Sequence, residues 1–343
     1  MTSAAETTAI EKIVPNSSGA VALMEASDIS GRDISDRVLG SIPIDINLTE
    51  GEGVAAGDHD ITKYGTWISP FYQKAIQKKY NNNPGYKVEN YGGTIGFDTM
   101  VSEHLTLGLA WSYVKADLKH QGIDGTDKGN TTTNLFSLYG LTDMAHNYFI
   151  SGLAAVGFSK VNNLEERRIT NNLVQMAQSK YNSRIYSGKI LGGKQCKLGT
   201  TKFTAVPMLG LRYSNFKDGS YQETGASIQN LSVAKKSSYN FESIIGAKII
   251  TSYTTKNNFI LTPEVSAFTY INLKNKAPIT HISNAAFSNS VRLEGAKTSK
   301  AWYSLGTALG ITKNRVECNI AYEAQLDKKY IGHQGILKIR VNF

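Results

Sequence analysis

Residue types that often perform chemistry are scattered along this chain of 343 residues. No HExxH element, paired histidine spacing, GxSxG element or Ser–His–Asp set can be identified. Gly92-Gly93 and Gly192-Gly193 lie inside predicted strands and not before a helix, which argues against a phosphate-binding loop. The histidines fall in separate turns, loops or strand ends: His59, His104, His120, His146, His281 and His333. The sequence predicts no catalytic residue, no metal ligand and no cofactor.

Two cysteines, Cys196 and Cys318, are present. They make neither a metal cluster nor a disulfide framework. We interpret them as two independent, half-buried thiols, and the alternative of a single bridge between them stays open.

The composition favours a folded chain. Hydrophobic residues make up 41% and charged residues 19% of the sequence, which is enough to build a core and argues against disorder. No window approaches 18 consecutive apolar residues, so a helical membrane span is excluded. A membrane-spanning β-barrel is not excluded, because its alternating strands escape hydropathy plots.

The formal net charge of +9 favours a solvated basic surface. The densest basic doublets, Lys78-Lys79, Lys235-Lys236 and Lys328-Lys329, lie in predicted turns and share no face, so nucleic acid is not a predicted partner. Anionic lipid head groups are an alternative partner for such a surface.

The first 63 residues differ from the rest of the chain in composition and in hydrophobic pattern. Residues 1–19 are rich in Ser, Thr and Ala, which predicts a flexible lead-in, and no signal peptide is recognised there. Residues 20–42 predict a helix, in which Asp28 with Arg32 is one of two favourable i,i+4 ion pairs. A helix that is polar nearly all round is unstable alone or lies in polar surroundings. Residues 43–63 predict a flexible linker.

From Tyr64 onward the sequence predicts twelve β-strands of about 12 to 17 residues each. In Asn314–Leu326, for example, Val316, Cys318 and Ile320 alternate with charged and polar residues. The predicted strands are Tyr64–Gln77, Tyr86–Val101, His104–Lys119, Asn130–Met144, Asn147–Asn162, Tyr181–Lys197, Thr201–Lys217, Ser237–Tyr253, Asn258–Lys274, Lys297–Ile311, Asn314–Leu326 and Ile331–Phe343.

The predicted connections alternate between short turns and longer polar loops. The long loops are Lys78–Gly85, His120–Gly129, Asn163–Lys180, Asp218–Lys236 and Asn275–Ala296. A meander with tight turns at one end and long loops at the other is typical of an outer-membrane barrel. Strands in soluble sandwiches are shorter, and a closed barrel in lipid leaves no strand edge unpaired.

The two faces of the predicted strands differ in chemistry. Aromatic residues near strand ends are candidates for the interfacial girdles: Trp67, Trp111, Tyr113, Tyr139, Phe203, Tyr213, Tyr239, Tyr253, Tyr322 and Phe343. The opposite face carries charges of both signs that would line a hydrated lumen: Arg212, Glu242, Lys248, Glu264, Arg315, Glu317, Glu323, Lys338 and Arg340. A dry sandwich core could not hold so many charges.

Strand by strand, the chain resembles the C-terminal translocator domain of autotransporters (type Va secretion), and most of all the rickettsial surface-cell-antigen and outer-membrane-protein-B branch. The resemblance covers roughly Ala20–Phe343 and depends on the order and spacing of its motifs. These are AAGD at Ala55–Asp58, YGTWISPFY at Tyr64–Tyr72, GGTIGFD at Gly92–Asp98, LGLAWSYVKAD at Leu107–Asp117, NLFSLYGL at Asn134–Leu141, PMLGLRYS at Pro207–Ser214, YQETG at Tyr221–Gly225, GAK at Gly246–Lys248, LTPE at Leu261–Glu264 and QGILKIRVNF at Gln334–Phe343.

The resemblance implies an all-β fold: a 12-stranded antiparallel transmembrane β-barrel (64–343) with an N-terminal α-helix (20–42) in its lumen. The lumen helix would pair its charged residues with those of the wall: Asp28, Arg32, Asp33, Asp36 and Arg37. The lead-in 1–19 would come from an upstream passenger, and 43–63 would link helix and barrel. The implied location is the bacterial outer membrane, with the N-terminus towards the cell exterior and the C-terminus towards the periplasm.

The same resemblance implies the partners. They are outer-membrane lipid, the covalently linked passenger, a host-cell surface met through that passenger, and the barrel-assembly machinery. The last would read the terminal strand at Phe343, Val341, Ile339 and Leu337. No ATP site is visible, so the implied function is export and surface anchoring driven by passenger folding and barrel assembly. The chain is not predicted to be an enzyme.

Three alternatives stay open at this point. The first is a free-standing outer-membrane porin or adhesin barrel, and the second is a soluble basic β-sandwich that binds polyanions. The third is self-cleavage of the passenger near Asn16, assisted by a lumen carboxylate such as Glu242, Glu264, Glu317 or Glu323; salt bridges are the competing role for these carboxylates.

Overall fold

The structure is a computed structural model that describes residues 30–31, 34, 64–79, 85–121, 126–170, 173–277, 279–284, 290–294 and 299–343. Nearly all of them lie in β-strands. The long strands are β1 Tyr64–Gln77, β2 Tyr86–Ser102, β3 Leu105–Gln121, β4 Thr126–Met144, β5 Tyr148–Thr170, β6 Leu173–Lys194, β7 Phe203–Asp218, β8 Lys236–Thr251, β9 Ile260–Lys276, β10 Ala301–Lys313, β11 Val316–Asp327 and β12 Tyr330–Asn342. In the described parts of the chain, no helix is long and apolar enough to cross a membrane.

These strands close into a barrel. Each strand pairs antiparallel with the next along the chain, and β1 pairs with β12 from Gly65 opposite Asn342 to Gln77 opposite Tyr330. The predicted 12-stranded antiparallel barrel is therefore confirmed. Ser30, Gly31 and Ile34 lie in α-helical backbone, and the rest of the predicted helix lies outside the described residues.

The distribution of apolar and polar side chains between the outside and the inside is inverted relative to a soluble protein. Outward side chains are apolar and exposed, with Leu109 and Leu209 both 63% exposed. Inward positions hold buried polar residues such as Gln73, Thr94 and Ser112. A continuous exposed apolar wall around a polar interior is typical of a barrel in lipid, and it disfavours the soluble sandwich.

The longest hairpin departs from the prediction. Residues Asn163–Lys180 were expected to form a loop, but β5 and β6 continue as a paired ladder, with Asn163 opposite Ser179 and Arg167 opposite Gln175. This extension reaches beyond the neighbouring strands and mixes charged and polar residues with the exposed apolar side chains of Leu164, Val174 and Met176. It therefore lacks the regular apolar alternation from which strands were predicted, while its backbone groups are satisfied by strand pairing.

Two further predicted loops contain a second sheet. Tyr221–Gln222, Ser232–Val233, Ile279–Ser283 and Val291–Glu294 pair antiparallel into a four-stranded sheet, here named the cap sheet. The first two strands belong to the β7–β8 connection and the others to the β9–β10 connection. Strands of two to five residues are too short to show a period in the sequence.

Two aromatic residues expected in the lipid girdle lie inside the barrel instead. Trp67 is 1% exposed and Tyr139 is 3% exposed. Each side chain reaches over a glycine on the neighbouring strand, Gly96 beside Trp67 and Gly108 beside Tyr139, where any Cβ atom would collide with the ring. The glycines provide the space that holds these rings inward.

The other aromatic candidates lie on the outer face. Tyr113 and Tyr239 are half-buried there, and the remainder are 40–53% exposed: Trp111, Phe203, Tyr213, Tyr253, Tyr322 and Phe343. Their exposure agrees with a position at or beside the lipid boundary.

A buried hydrogen-bond chain crosses the seam between the first and last strands. Trp67 Nε1 donates to Tyr139 Oη at 2.9 Å, and Tyr139 Oη donates to Asp98 Oδ2 at 2.9 Å. From β12, Arg340 Nη1 lies 2.7 Å from Asp98 Oδ1 and 2.9 Å from Oδ2. Lys338 Nζ lies 5.3 Å from the Trp67 ring centroid. This seam network ties β12 to β1, β2 and β4.

Replacing Arg340 by Leu should destabilise the barrel. The change leaves the Asp98 carboxylate, whose side chain is 2% exposed, without its cation, and losing one partner of a buried ion pair costs about 3 kcal/mol. The measurement is the temperature at which the detergent-refolded barrel loses its resistance to SDS. Arg315→Leu is the control, because Arg315 is exposed in the β10–β11 turn. Equal shifts for both variants would contradict the role of the seam network.

Candidate functional site: the barrel interior

Most of the charges predicted to face the lumen occupy inward positions of their strands. These are Arg212, Glu242, Lys248, Glu264, Glu317, Glu323, Lys338 and Arg340. Arg315 lies instead in the exposed β10–β11 turn. The helix charges Asp28, Arg32, Asp33, Asp36 and Arg37 lie outside the described residues.

Wall charges in the interior are paired across neighbouring strands. Arg212 Nε donates to Glu242 Oε2 at 2.7 Å, and Lys248 Nζ donates to Glu264 Oε1 at 2.6 Å. Three of these four side chains are at most 12% exposed, and that of Glu264 is 22% exposed. Such pairs stabilise charged groups that are withdrawn from water. The interior is therefore highly charged, but its positive charges lie beside negative ones and the net electric field is low.

An aromatic pair packs against the Arg212 pair. Tyr270 and Trp302 stack with ring centroids 3.8 Å apart and planes 3° from parallel, and Trp302 Nε1 donates to Glu242 Oε1 at 3.1 Å. The Arg212 guanidinium carbon lies 5.1 Å from the Tyr270 ring centroid, within cation–π distance. The pair gives this side of the interior a flat, rigid surface.

Ile34, from the segment before the barrel, is fully buried inside it. Its side chain belongs to a cluster with inward residues that include Trp67, Tyr139, Phe149 and Ile244. Barrels of more than about eight strands have interiors too wide for wall side chains to fill. A chain segment in the lumen satisfies this geometric requirement.

The cap sheet packs on the inward side of the β5–β6 extension, at the end of the barrel that carries the long loops. Val161 and Tyr181, which pair with each other on β5 and β6 next to the extension, cluster with Leu231, Val233 and other residues of the two cap-bearing connections. Tyr181 stacks on Tyr221 with ring centroids 4.5 Å apart. The cap sheet therefore lies on the inner side of the barrel rim, at the long-loop end.

A buried charge cluster fixes the cap sheet to the extension. Arg167 Nη2 lies 2.8 Å from Glu165 Oε2 and 2.9 Å from Glu223 Oε1, and Glu223 Oε2 accepts from the Leu231 backbone N–H at 3.0 Å. Burial, assisted by the nearby charge of Glu165, raises the pKa of Glu223 to about 7, although Arg167 opposes this shift. One arginine holds two carboxylates, so one of them gains a proton readily.

In the described parts of the chain, no group of three or more His, Cys, Asp or Glu residues is placed to hold a metal ion. Cys196 and Cys318 are half-buried free thiols.

Sequence reasoning did not identify three charged residues of the buried networks, namely Asp98, Arg167 and Glu223. Asp98 sits in the GGTIGFD motif, where alternation with Ile95 and Phe97 was a usable signal for an inward carboxylate. Arg167 and Glu223 gave no such signal, because the first was assigned to a loop and the second lies beside a two-residue strand.

The stability of the cap sheet should depend on pH through Glu223. Its folded pKa of about 7 lies above the ordinary value of 4.5, so the folded cap sheet holds the proton more tightly than the open one. This contribution is complete below about pH 4.5 and is lost as the pH rises through 7. A thiol introduced by Val233→Cys, with Cys196 and Cys318 changed to Ser, should react faster at pH 8 than at pH 5, after normalisation to a free thiol.

Glu223→Gln in the same background is the control, because the amide does not titrate. Its normalised thiol reactivity should be nearly constant across this range. The same pH dependence in both proteins would contradict the assignment to Glu223.

Comparison with known proteins agrees with this architecture. The autotransporter β-domain family matches residues 66–323. Outer membrane protein A of Rickettsia conorii is 36% identical over 296 residues, covering 84% of this chain and 14% of that protein. Outer membrane protein B of the same species is 33% identical over 297 residues, covering 84% of this chain and 18% of that protein.

The chain therefore spans less than a fifth of the length of these two relatives. Among solved structures, the translocator domain of autotransporter NalP from Neisseria meningitidis has the same fold. Its TM-score is 0.67 at 14% identity, and the match covers 92% of this chain and 96% of that one. The chain belongs to the autotransporter β-domain family and is an outer-membrane β-barrel.

Proposed function

We propose that the barrel spans the outer membrane with its long-loop end outside the cell and its short-turn end in the periplasm. β12 ends at the short-turn end, so the C-terminus at Phe343 would face the periplasm. The β5–β6 extension and the cap sheet occupy the opposite end, which would lie outside the cell. The N-terminal chain would then reach the exterior and carry the passenger.

Residues 20–42 would form a helix that occupies the lumen, between the lead-in 1–19 and the linker 43–63. The observation that carries this proposal is the complete burial of Ile34 among inward wall residues, together with the helical backbone of Ser30 and Gly31. The helix would act as a plug and as the tether of the passenger. Its charged residues would find partners on a wall that presents both signs of charge.

Transport would need no nucleotide. The passenger would pass the barrel during assembly, and its folding outside would draw the chain outward. After export the plugged barrel would anchor the passenger on the cell surface, where the passenger could contact a host cell. The great length of the relatives outside the matched region supports a large upstream passenger.

Deleting Ala20–Leu39 should raise the ion conductance of the barrel and lower its thermal stability. Removal of the segment opens the lumen and exposes the apolar cluster around Ile34. Single-channel recording in planar bilayers measures the first effect, and heat-modifiability on SDS gels measures the second. A matched control deletes residues 1–18 and should change neither.

Unchanged conductance after the Ala20–Leu39 deletion would overturn the plug. Passage of sugar-sized solutes by the intact chain would instead favour the free-standing porin.

The terminal strand is proposed as the signal for the barrel-assembly machinery. Phe343, Val341, Ile339 and Leu337 all point outward and are 39–53% exposed. Phe343 also bonds to Tyr64 through both backbone groups, at 3.1 and 3.0 Å. A newly made chain would present this aromatic-ended strand before β1 pairs with it.

Phe343→Ser should reduce the amount of barrel inserted in the outer membrane while leaving synthesis intact. Membrane fractionation measures insertion against total protein. Phe203→Ser is the matched control, because Phe203 is 44% exposed on the outer face near the same end of the barrel. Equal insertion of wild type and Phe343→Ser, or equal loss in both variants, would contradict a specific signal.

Self-cleavage of the passenger near Asn16 stays a proposal. Three of its candidate carboxylates are engaged in ion pairs: Glu242 with Arg212, Glu264 with Lys248 and Glu317 with Arg340. The structural role of these carboxylates is sufficient to explain their presence.

A further inference from the structure

One side of the outer wall carries a patch of cations just above the apolar band, at the long-loop end. Its exposed outward residues lie on five neighbouring strands, β2 to β6, and are named here the basic face: Lys87, Lys115, Lys119, Lys128, Lys160 and Lys180. Four residues below Lys115 on β3 stands Trp111, which is 40% exposed in the apolar band. At about 3.4 Å per residue, Lys115 lies about 14 Å beyond Trp111 along the strand, where lipid head groups would meet the wall.

The register sets like charges directly against one another. Lys87 is opposite Lys119 on the adjacent strand, and Lys119 is opposite Lys128 on the next. A second opposed pair, Arg184 with Lys217, lies further round the wall. Directly opposed like charges destabilise a sheet, so this row of three lysines disfavours the isolated barrel.

Carboxylates on the same strands compensate this charge only in part. Glu89 lies 2.7 Å from Lys74, and this pair is about half exposed. Asp117 is opposite Glu89 and is exposed. Of the described basic residues in this region, only Lys74 forms a salt bridge with another described residue, so the basic face keeps a large positive charge.

Neutral donors stand between the lysines. Asn130 and Asn162 are outward neighbours joined by a 3.0 Å hydrogen bond, and Thr132 lies opposite both Lys115 and Lys160. Amide and hydroxyl groups at this height can bond sugar hydroxyls, whereas acyl chains gain nothing from them. Outward positions of the described parts of β10, β11 and β12 at the same end carry no lysine or arginine, so the basic face does not extend to these strands.

We propose that the basic face binds the phosphorylated sugar head group of a lipopolysaccharide-type glycolipid of the outer leaflet. Lysine ammonium groups would neutralise the phosphates through charge-assisted hydrogen bonds, and the Asn and Thr side chains would contact the sugars. The ligand would remove the repulsion between Lys87, Lys119 and Lys128. This inference depends on the proposed orientation, which places the long-loop end in the outer leaflet.

The test uses the full chain refolded in neutral detergent, with purified lipid A as the probe and native mass spectrometry as the readout. The variant K87Q/K119Q/K128Q should bind lipid A about a hundredfold more weakly, because each cation near an anionic surface contributes about fivefold. The matched control K274Q/K276Q/K328Q removes the same charge from exposed positions elsewhere on this rim and should bind as wild type does. Lipid A stripped of both phosphates should bind all three proteins weakly.

Several outcomes would overturn the proposal. They are unchanged binding by K87Q/K119Q/K128Q, equal loss in the control variant, and equal retention of phosphatidylglycerol, which would remove the assignment to a glycolipid. Heat-modifiability shows that each variant is folded before binding is measured. Failure of the proposed orientation is distinguished separately: a cysteine placed at Lys119 in whole cells would then resist an impermeant thiol reagent although lipid A binding in detergent persists.

Discussion

Pairing between β1 and β12 is the constraint on which the rest of the molecule depends. Within lipid no water satisfies an open strand edge, so every N–H and C=O group of the wall must find a partner strand. The seam runs from Gly65 opposite Asn342 to Gln77 opposite Tyr330. The seam network of Trp67, Tyr139, Asp98 and Arg340 adds side-chain bonds at this junction between the first and last strands.

Closing the barrel leaves an interior that is too wide for the side chains of the wall to fill. Opposite charges on adjacent strands, such as Arg212 with Glu242, permit a polar lining without a strong net field. Ile34 with its apolar neighbours occupies the part of the interior near the short-turn end, and the cap sheet occupies the rim at the long-loop end. The interior therefore holds chain segments at two heights, and each is held by a different kind of contact.

The chain segments at these two heights differ in their response to pH. Ile34 and its cluster are held by apolar contacts that do not titrate. The cap sheet depends on one arginine shared by Glu165 and Glu223, a cluster that changes charge near neutral pH. The outer wall is also uneven in charge, since the basic face lies on β2 to β6 and lysine and arginine are missing from the described outward positions of β10 to β12 at that end. A barrel of uniform strands thus carries distinct surfaces along its axis and around its circumference.

The sequence alone determined the strand number, the closed architecture and the inward face of most lumen charges. Alternation with a period of two fixes which residues share a face, and Val316, Cys318 and Ile320 showed that period directly. Only the tertiary structure decided that Trp67 and Tyr139 point into the barrel, because the glycines that leave space for their rings lie on neighbouring strands. It also decided that the segment 163–180 pairs as a hairpin, and that the cap sheet forms from two connections that are far apart in the chain. The local sequence pattern determines where a strand lies and which residues share a face. The contacts that its side chains make with neighbouring strands, and the segments that fill the lumen, are determined only when the barrel closes.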